Sequence, residues 1–425
     1  MNMDQVKQGM MQLWERIFHD RHEYVSMLFE NYFDESLCAW HEEDGKIVAS
    51  IMGIPYKFIG NGEIIDAIYY CGIATDIHYR RKGLMTALLK EIENKTKDRF
   101  DFAFLIPSDE TNRLIYYNKG YFNAIYKVYE YYTPIHDFHF EFETLLLDLD
   151  NHVGGLKKKY YDNLTVEIYN PDDPDQTEAM SEFIMDHDRM PSSFLQLDHT
   201  EKDIKVDIED SLINEAKIFL IHNPKKELKG LMFTFPTPDG RIKVYTEYCK
   251  EICAYYKILD AIKKYYAEMA LTVVSYPEEV RGTEVWSEFF IEPNAVSTGL
   301  ESVEGTAPRI YNRADMSSPY GMLKIFNLER VLSFLSYLRN DVKFEVLIKN
   351  ETGGDSFFVS VKNGKCEIKK LEGDWEKIKR EYKSVTILKE KDFMDILFRR
   401  RKREDIIMEA FGIPRLPINV TLMSD

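Results

Sequence analysis

The residue types best suited to chemistry gather in two short stretches of the first third of the chain. In the first, Arg80-Arg81-Lys82-Gly83 stands between an Ile- and Tyr-rich run at residues 64–75 and a segment where Leu84, Ala87, Leu88 and Ile92 share one helical face. Backbone N–H groups in the first turn of a helix lack intrahelical partners and carry the positive end of the macrodipole. With Gly83 allowing close backbone approach and three cationic side chains alongside, the turn has the makings of a pyrophosphate cradle. The competing reading is a basic surface turn. The second stretch, about thirty residues on, is Asn112-Arg113-Leu114-Ile115-Tyr116-Tyr117-Asn118-Lys119-Gly120-Tyr121-Phe122. It reads as a helix carrying paired aromatics, closed by a glycine and followed by another aromatic. Either tyrosine could equally be core packing in a chain with 27 of them.

Other reactive residues are sparse. The five cysteines are odd in number, and their spacings do not form a secreted disulfide framework. Cys249 and Cys253 could share a helical face, but no His or third Cys lies near them, so they read as semi-buried thiols rather than metal ligands. Cys71 reads as packing, and no Ser or Cys nucleophile is apparent. The basic run at residues 399–403 follows an expected helix and is flanked by Glu404 and Asp405, which favours a solvated face or a subunit contact.

The elements that must hold these residues alternate in type. Residues 11–32 have helical spacing. Strand signals follow at 37–40 and 47–51 around a turn at 42–45, then at 64–75 after a Gly-Asn-Gly turn at 60–62. A helix from Leu84, a strand at 102–106, a helix at 111–119 and a strand at 124–132 complete an α/β (α+β) layer fold with a mixed sheet. A second block echoes this order from residue 164: a strand, a helix, a hairpin at 218–222 and 230–235, a strand at 242–248 and a helix at 254–269. It has no counterpart of Arg80–Gly83. A third block, after the Gly/Ser/Pro-bearing stretch 297–319, reads as a strand at 322–326, a helix at 328–338, strands at 344–349, 356–362, 365–370 and 384–388, and a helix at 392–399.

With 44% apolar and 30% charged residues, the 425-residue chain is core-forming and long enough for several domains. Its 55 basic and 72 acidic residues leave a net charge of −17, which argues against nucleic acid as a partner and would favour a cationic one. No window approaches the roughly eighteen to twenty apolar residues of a membrane span, and no signal-peptide pattern is visible. The expectation is a cytoplasmic protein.

Together, in this order and strand–helix context, the two stretches resemble the Gcn5-related N-acetyltransferase (GNAT) superfamily. Arg80-x-x-Gly83 fits its Arg/Gln-x-x-Gly-x-Gly/Ala signature, with Met85 in place of the usual small residue. Residues 116–122 fit its downstream aromatic–Tyr–x–x–x–Gly–aromatic stretch, with Gly120 one place early. The helices at 13–30 resemble the opening of multidomain GNAT proteins. Residues 321–332 and the strands after them resemble a sterol-carrier-protein-like (SCP2-like) domain. The whole is similar to the Eis-like (enhanced intracellular survival) acetyltransferases, with a catalytic GNAT domain at 1–135, a degenerate GNAT-like domain at 160–295 and an SCP2-like domain at 315–425.

The resemblance implies acetyl-CoA as co-substrate, no metal, and a small-molecule or peptide amine as acceptor: aminoglycoside, polyamine, lysine or N-terminus. It leaves a homo-oligomer open. Ile73, Ala74 and Thr75 would pair with the pantetheine arm, one N–H polarising the thioester. Arg80, Arg81, Lys82, Gly83, Leu84, Met85 and Thr86 would surround the pyrophosphate, with Asn112 beside the cofactor. A tyrosine would protonate the thiolate: Tyr117 counting back from Phe122, which is the favoured register, or Tyr116 counting back from Gly120. Glu23, Asp34 and Glu35 would hold a cationic acceptor, and Asp425 would serve as C-terminal general base. The alternative is a non-catalytic CoA- or lipid-binding scaffold.

Overall fold

The computed structural model describes residues 1–60, 63–132, 156–189, 195–249, 251–266, 269–275, 317–333, 343–349, 356–362, 365–398 and 418–419. The run 399–403, Asp425 and most of the two expected junctions lie outside them. The fold is mixed α/β, as the alternating periods require.

The chain begins with α1 (Met3–Phe18), set in place by an Asn2/Gln5 capping box and ended by His19 in the left-handed region. Its apolar stripe buries Val6, Met10, Leu13 and Trp14. α2 (His22–Tyr32) buries Tyr24, Val25, Leu28 and Phe29 beside it. The hairpin β1 (Cys38–Glu43) and β2 (Lys46–Gly60) turns through Asp44 and Gly45, both at positive φ, and β2 continues antiparallel into β3 (Glu63–Thr75). α3 (Leu84–Thr96) packs Leu88, Leu89 and Ile92 on this sheet. β4 (Phe102–Leu105) is parallel to β3, followed by α4 (Glu110–Tyr117) and β5 (Phe122–Tyr132).

The second block contributes α5 (Leu156–Asp162), β6 (Thr165–Ile168), α6 (Pro174–Asp188), β7 (Leu195–Asp198) and α7 (Glu201–Ile213). β8 (Lys217–His222), β9 (Leu228–Pro236), β10 (Ile242–Tyr248), α8 (Ile252–Tyr265) and β11 (Leu271–Ser275) follow. β11 pairs antiparallel with the far half of β5, so both blocks share one sheet.

The third block is divided. β12 (Ser317–Ile325) lies in the first block's sheet, antiparallel to both β4 and β5. After α9 (Leu328–Ser333), β13 (Phe344–Lys349), β14 (Ser356–Lys362), β15 (Lys365–Leu371) and β16 (Thr386–Lys389) make a separate four-stranded sheet, ordered β15-β14-β13-β16. α10 (Trp375–Glu381) precedes β16, and α11 (Glu390–Phe398) stacks Phe398 on Phe122 at 5.3 Å. β17 (Ile418–Asn419) bridges β7 and β5, and β7 in turn pairs with β2, tying all three blocks around one core.

At that junction His199 is 0% and Asp188 1% exposed, with Nδ1 of His199 2.6 Å from the carboxylate. Burial alone would push the imidazolium down. The Asp188 charge and hydrogen bond outweigh it and, with Asp207 and Asp203 nearby, raise it to about 9. A group raised in the folded state stabilises fully below its unfolded value near 6.5 and loses that contribution as pH rises through about 9. The Tm is therefore expected to fall between pH 7 and pH 10, by the equivalent of roughly 3 kcal/mol at most. A Tm flat across that range in a thermal melt would rule out a charged His199.

Candidate functional site

The cleft exists because β3 and β4 part. Their parallel ladder joins Ala67–Tyr69 to 102–104, and past it the remainder of β3 and the segment 106–109 form opposite walls. The opening has a volume of about 910 Å³ and is lined by residues of α1, α2, β2, β3, α3 and α4.

The β3 wall carries a local irregularity. Ser50 pairs with Ala74 and Met52 with Cys71, so Gly72 and Ile73 together oppose the single residue Ile51. This is a bulge in β3 with Gly72 at φ +56, and the extra residue drops out of the ladder. Gly72 and Ile73 line the cleft, where the resemblance asks for a polarising N–H. Trp14 packs on Gly72 so closely that an added Cβ would lie 2.3 Å from its Cζ3. Trp14 is fixed by its Nε1–H donating to Asp20 at 2.7 Å and by edge contacts with Phe18, Tyr24 and Phe29.

The loop after β3 has the form of an anion cradle. Asp76 caps a 3-10 turn at Ile77–Tyr79 and pairs with Arg16 at 2.9 Å. Arg81 and Gly83 both adopt positive φ, at +66 and +82. Alternating handedness in successive residues turns their N–H groups into a concavity for anions. Gly83 is the N-cap of α3, which has no side-chain cap and no acidic residue in its first turn, so its N–H donors are left for a ligand. Arg80, Arg81, Gly83, Leu84, Met85 and Thr86 all line the cleft. Lys82 does not; its Nζ sits 4.4 Å over the Tyr79 ring. Ile73 and Thr75 also line it, whereas Ala74 is buried.

Across the cleft, Asp109 caps α4 through the N–H of Asn112, and the Asn112 amide donates to Ser108 at 2.8 Å. Asn112 and Tyr116 line the opening. Tyr116 is 7% exposed and packs edge-on to Tyr121; burial pushes its phenol up to about 12. Tyr117, the favoured register of the sequence reading, lies instead under Lys391 of α11, whose Nζ is 3.1 Å from the ring centroid. It is not among the cleft-lining residues. α4 itself is clamped from the third block. Arg113 donates to Asn123 and to the carbonyl of Pro319, and Lys324 bridges Glu93 at 2.7 Å and the carbonyl of Lys119.

The acceptor carboxylates expected from sequence are not brought to the cleft. Glu23 is exposed at the start of α2; Asp34 spends its carboxylate on the N–H of Ser36 at 2.8 Å; Glu35 is exposed. Asp20 and Asp109 line it instead. Asp20 stands between the two helices of the stretch 13–30 that resembles the family's opening, which is its only signal in the sequence. Cys71 reaches the wall, but burial holds its thiol far above the ordinary range and it donates to the Met52 carbonyl, which leaves it a poor nucleophile. No helix among the described residues is long and apolar enough to cross a membrane.

Residues 4–124 match the family described as "Acetyltransferase (GNAT) domain". No curated protein matches the sequence. Among solved structures, the chain is similar to a conserved protein from Enterococcus faecalis described as a probable N-acyltransferase. That match has 10% identity, covers 97% of this chain and 95% of the other, and has a TM-score of 0.61. It is also similar to a GCN5-related N-acetyltransferase from Anabaena variabilis (12%, covering 98% and 97%, TM-score 0.58) and to Eis1 from Mycobacterium abscessus (9%, covering 96% and 90%, TM-score 0.56). At such identities the structural likeness speaks for the fold. The sequence match thus falls on the stretch that carries the parted strands, the bulge and the uncapped helix.

Proposed function

We propose that the protein is an acetyl-CoA-dependent N-acetyltransferase acting on a primary amine. The observation that carries this is the uncapped N-terminus of α3, with Arg80, Arg81 and Gly83 beside it, opening into the same cleft as the β3 bulge and Tyr116. The pyrophosphate would lie on the N–H groups of Gly83 to Thr86, and the pantetheine arm along Ile73 and Thr75. The neutral amine attacks the thioester carbonyl directly. An N–H near Ile73 receives the developing negative charge, and the Tyr116 hydroxyl gives its proton to the departing thiolate. The three-part organisation, with a degenerate GNAT-like second domain and an SCP2-like C-terminal domain, is proposed with it. The four-stranded sheet β13–β16 supports the last of these.

The test is thiol release from acetyl-CoA with a panel of amines, including aminoglycosides, polyamines and lysine peptides, beside direct CoA titration. CoA binding without turnover on any amine would favour the scaffold alternative. Gly83→Ala sharpens the test. No atom lies within 4 Å of the added Cβ, so the change acts through the strain of a left-handed alanine, about 1–2 kcal/mol. The loop is expected to relieve that strain by turning the N–H groups at the start of α3 away from the phosphates, so the Kd for CoA weakens about tenfold while the Tm falls by no more than in Gly45→Ala. Unaltered affinity by calorimetry would place the phosphates elsewhere.

A further inference from the structure

Regular alternation along β3 would put residues 69, 71 and 73 on one face of the sheet. Tyr69 and Cys71 do pack with α1 and α2. Past the extra residue of the bulge, Ile73 packs on the other face, with Leu84, Met85 and Tyr116. All of these line the same cleft, which therefore passes from one face of the sheet to the other at Gly72-Ile73. The uncapped start of α3 belongs to one half. The other half is walled by α1, α2, β2 and β3, and its walls are aromatic. Trp14 covers Gly72, Phe18 and Tyr24 meet Trp14 edge-on at 5.6 and 6.4 Å, and Tyr56 and Tyr69 pack on Phe104 at 6.1 and 5.0 Å. Among the described residues lining this half, Asp20 is the one carboxylate. It accepts the Nε1–H of Trp14 at 2.7 Å, whereas Cζ3 and Cε3, on the other ring of the indole, are the atoms that approach Gly72. The indole thus stands between Asp20 and the bulge.

We propose that the acceptor is a primary amine with a single positive charge and a flat apolar body seated on Trp14, Phe18 and Tyr24, and not a polycation; this rests on the amine acetyl transfer proposed above. The nitrogen reaches the bulge against apolar surface. Such a wall disfavours an ammonium and so helps bring the nitrogen to the neutral form that attacks. The ammonium proton is lost to water, the N–C bond forms as the C–S bond breaks, and the products are an amide and the CoA thiol. A polyamine or an aminoglycoside carries further ammonium groups into the same wall. Each of these needs a carboxylate, and the one at hand already accepts from Trp14. Attraction to the aromatic faces offsets only part of that desolvation. The chain's net charge of −17 does not help there, since Glu23, Asp34 and Glu35 are outside the cleft. An aromatic amine, by contrast, gains ring contacts with Trp14 and its neighbours.

The experiment is thiol release by the full chain with acetyl-CoA and, as separate acceptors, tryptamine, phenethylamine, spermidine and kanamycin. The kcat/KM of the two aromatic amines is expected to exceed that of the two polycations by about 100-fold. Phe18 is 40% exposed at the rim, so it can be changed without emptying the core. Phe18→Ala is expected to lower kcat/KM for tryptamine about tenfold. Phe18→Asp is expected to move the tryptamine-to-spermidine ratio about 50-fold towards spermidine, tenfold from the lost ring and about fivefold from the added exposed charge. An unchanged Kd for CoA reports intact folding in both. Wild-type turnover of spermidine or kanamycin that equals or exceeds that of tryptamine overturns the acceptor class and leaves acetyl transfer standing, as does a ratio that neither Phe18 variant moves. No thiol release from the wild-type chain with any amine overturns the acetyltransferase reading and the acceptor class with it.

Discussion

Tyr116→Phe is expected to lower kcat for acetyl transfer by about 100-fold, with the Kd for CoA nearly unchanged, while Tyr117→Phe stays close to wild type. The two residues are adjacent, so composition, propensity and bulk are the same for both changes; only the environment differs. Tyr116 is in the cleft wall between Asn112 and Tyr121, and its phenol, raised to about 12 by burial, keeps its proton throughout the neutral range. The effect is set at the low end of the 10²–10⁴-fold range for general acids, because a phenol that weak transfers its proton to a thiolate against the gradient of acidity. Its hydrogen bond to the leaving sulfur then supplies much of the gain. A folded-state value near 12 also means that Tyr116 imposes no alkaline fall in kcat below about pH 11. The measurement is steady-state thiol release for both variants from pH 7 to pH 10. Equal losses, or a loss at Tyr117→Phe alone, would transfer the acid role to the register favoured by counting back from Phe122.

Much of this site is legible in the sequence because it is made locally. The run from Ile73 through Thr86 fixes a strand, a basic loop and a helix start within fourteen consecutive residues, and Gly83 takes the left-handed N-cap that its type suggests. The turn at Asp44-Gly45 and the helix at residues 84–96 follow from the same short-range rules. What the sequence hides is what distant segments decide. The choice between Tyr116 and Tyr117 depends on Lys391, more than 270 residues away, and α4 is oriented by Arg113 and Lys324 reaching between blocks. The run 322–326 reads as a strand, but nothing in its periodicity says that the strand begins at Ser317 or that it pairs with β4 and β5 rather than with β13 to β16. The short β7 gives almost no periodic signal, yet Leu195 and Leu197 enter the shared core. The acceptor side fails for a related reason. Glu23, Asp34 and Glu35 are near the cleft-forming helices in sequence, but capping and helix phase spend or expose them, whereas Asp20 and Asp109 line the cleft.

Gly72→Ala is expected to be the most damaging single-atom addition in the cleft, destabilising the protein by about 2–5 kcal/mol and cutting kcat/KM by about 100-fold. Two costs add. Alanine at φ +56 carries the left-handed penalty, about 1–2 kcal/mol. The new Cβ, 2.3 and 2.4 Å from Cζ3 and Cε3 of Trp14, then forces an overpacked wall, about 1–3 kcal/mol. Trp14 has little room to give, since Asp20 holds its Nε1 and three aromatic rings abut it. The strain is therefore relieved through the β3 backbone at the Gly72-Ile73 bulge, where the proposed mechanism places its polarising N–H. A displacement near 1 Å at such a point is worth about 100-fold in rate. Gly45→Ala is the control: it has φ +72 in the β1–β2 turn and no atom within 4 Å of the added Cβ, so it suffers the conformational penalty alone. Denaturant unfolding and kcat/KM measured on both variants separate the two costs. If Gly72→Ala proved no more destabilising than Gly45→Ala and left turnover intact, the contact between Trp14 and the bulge would have no part in shaping the site.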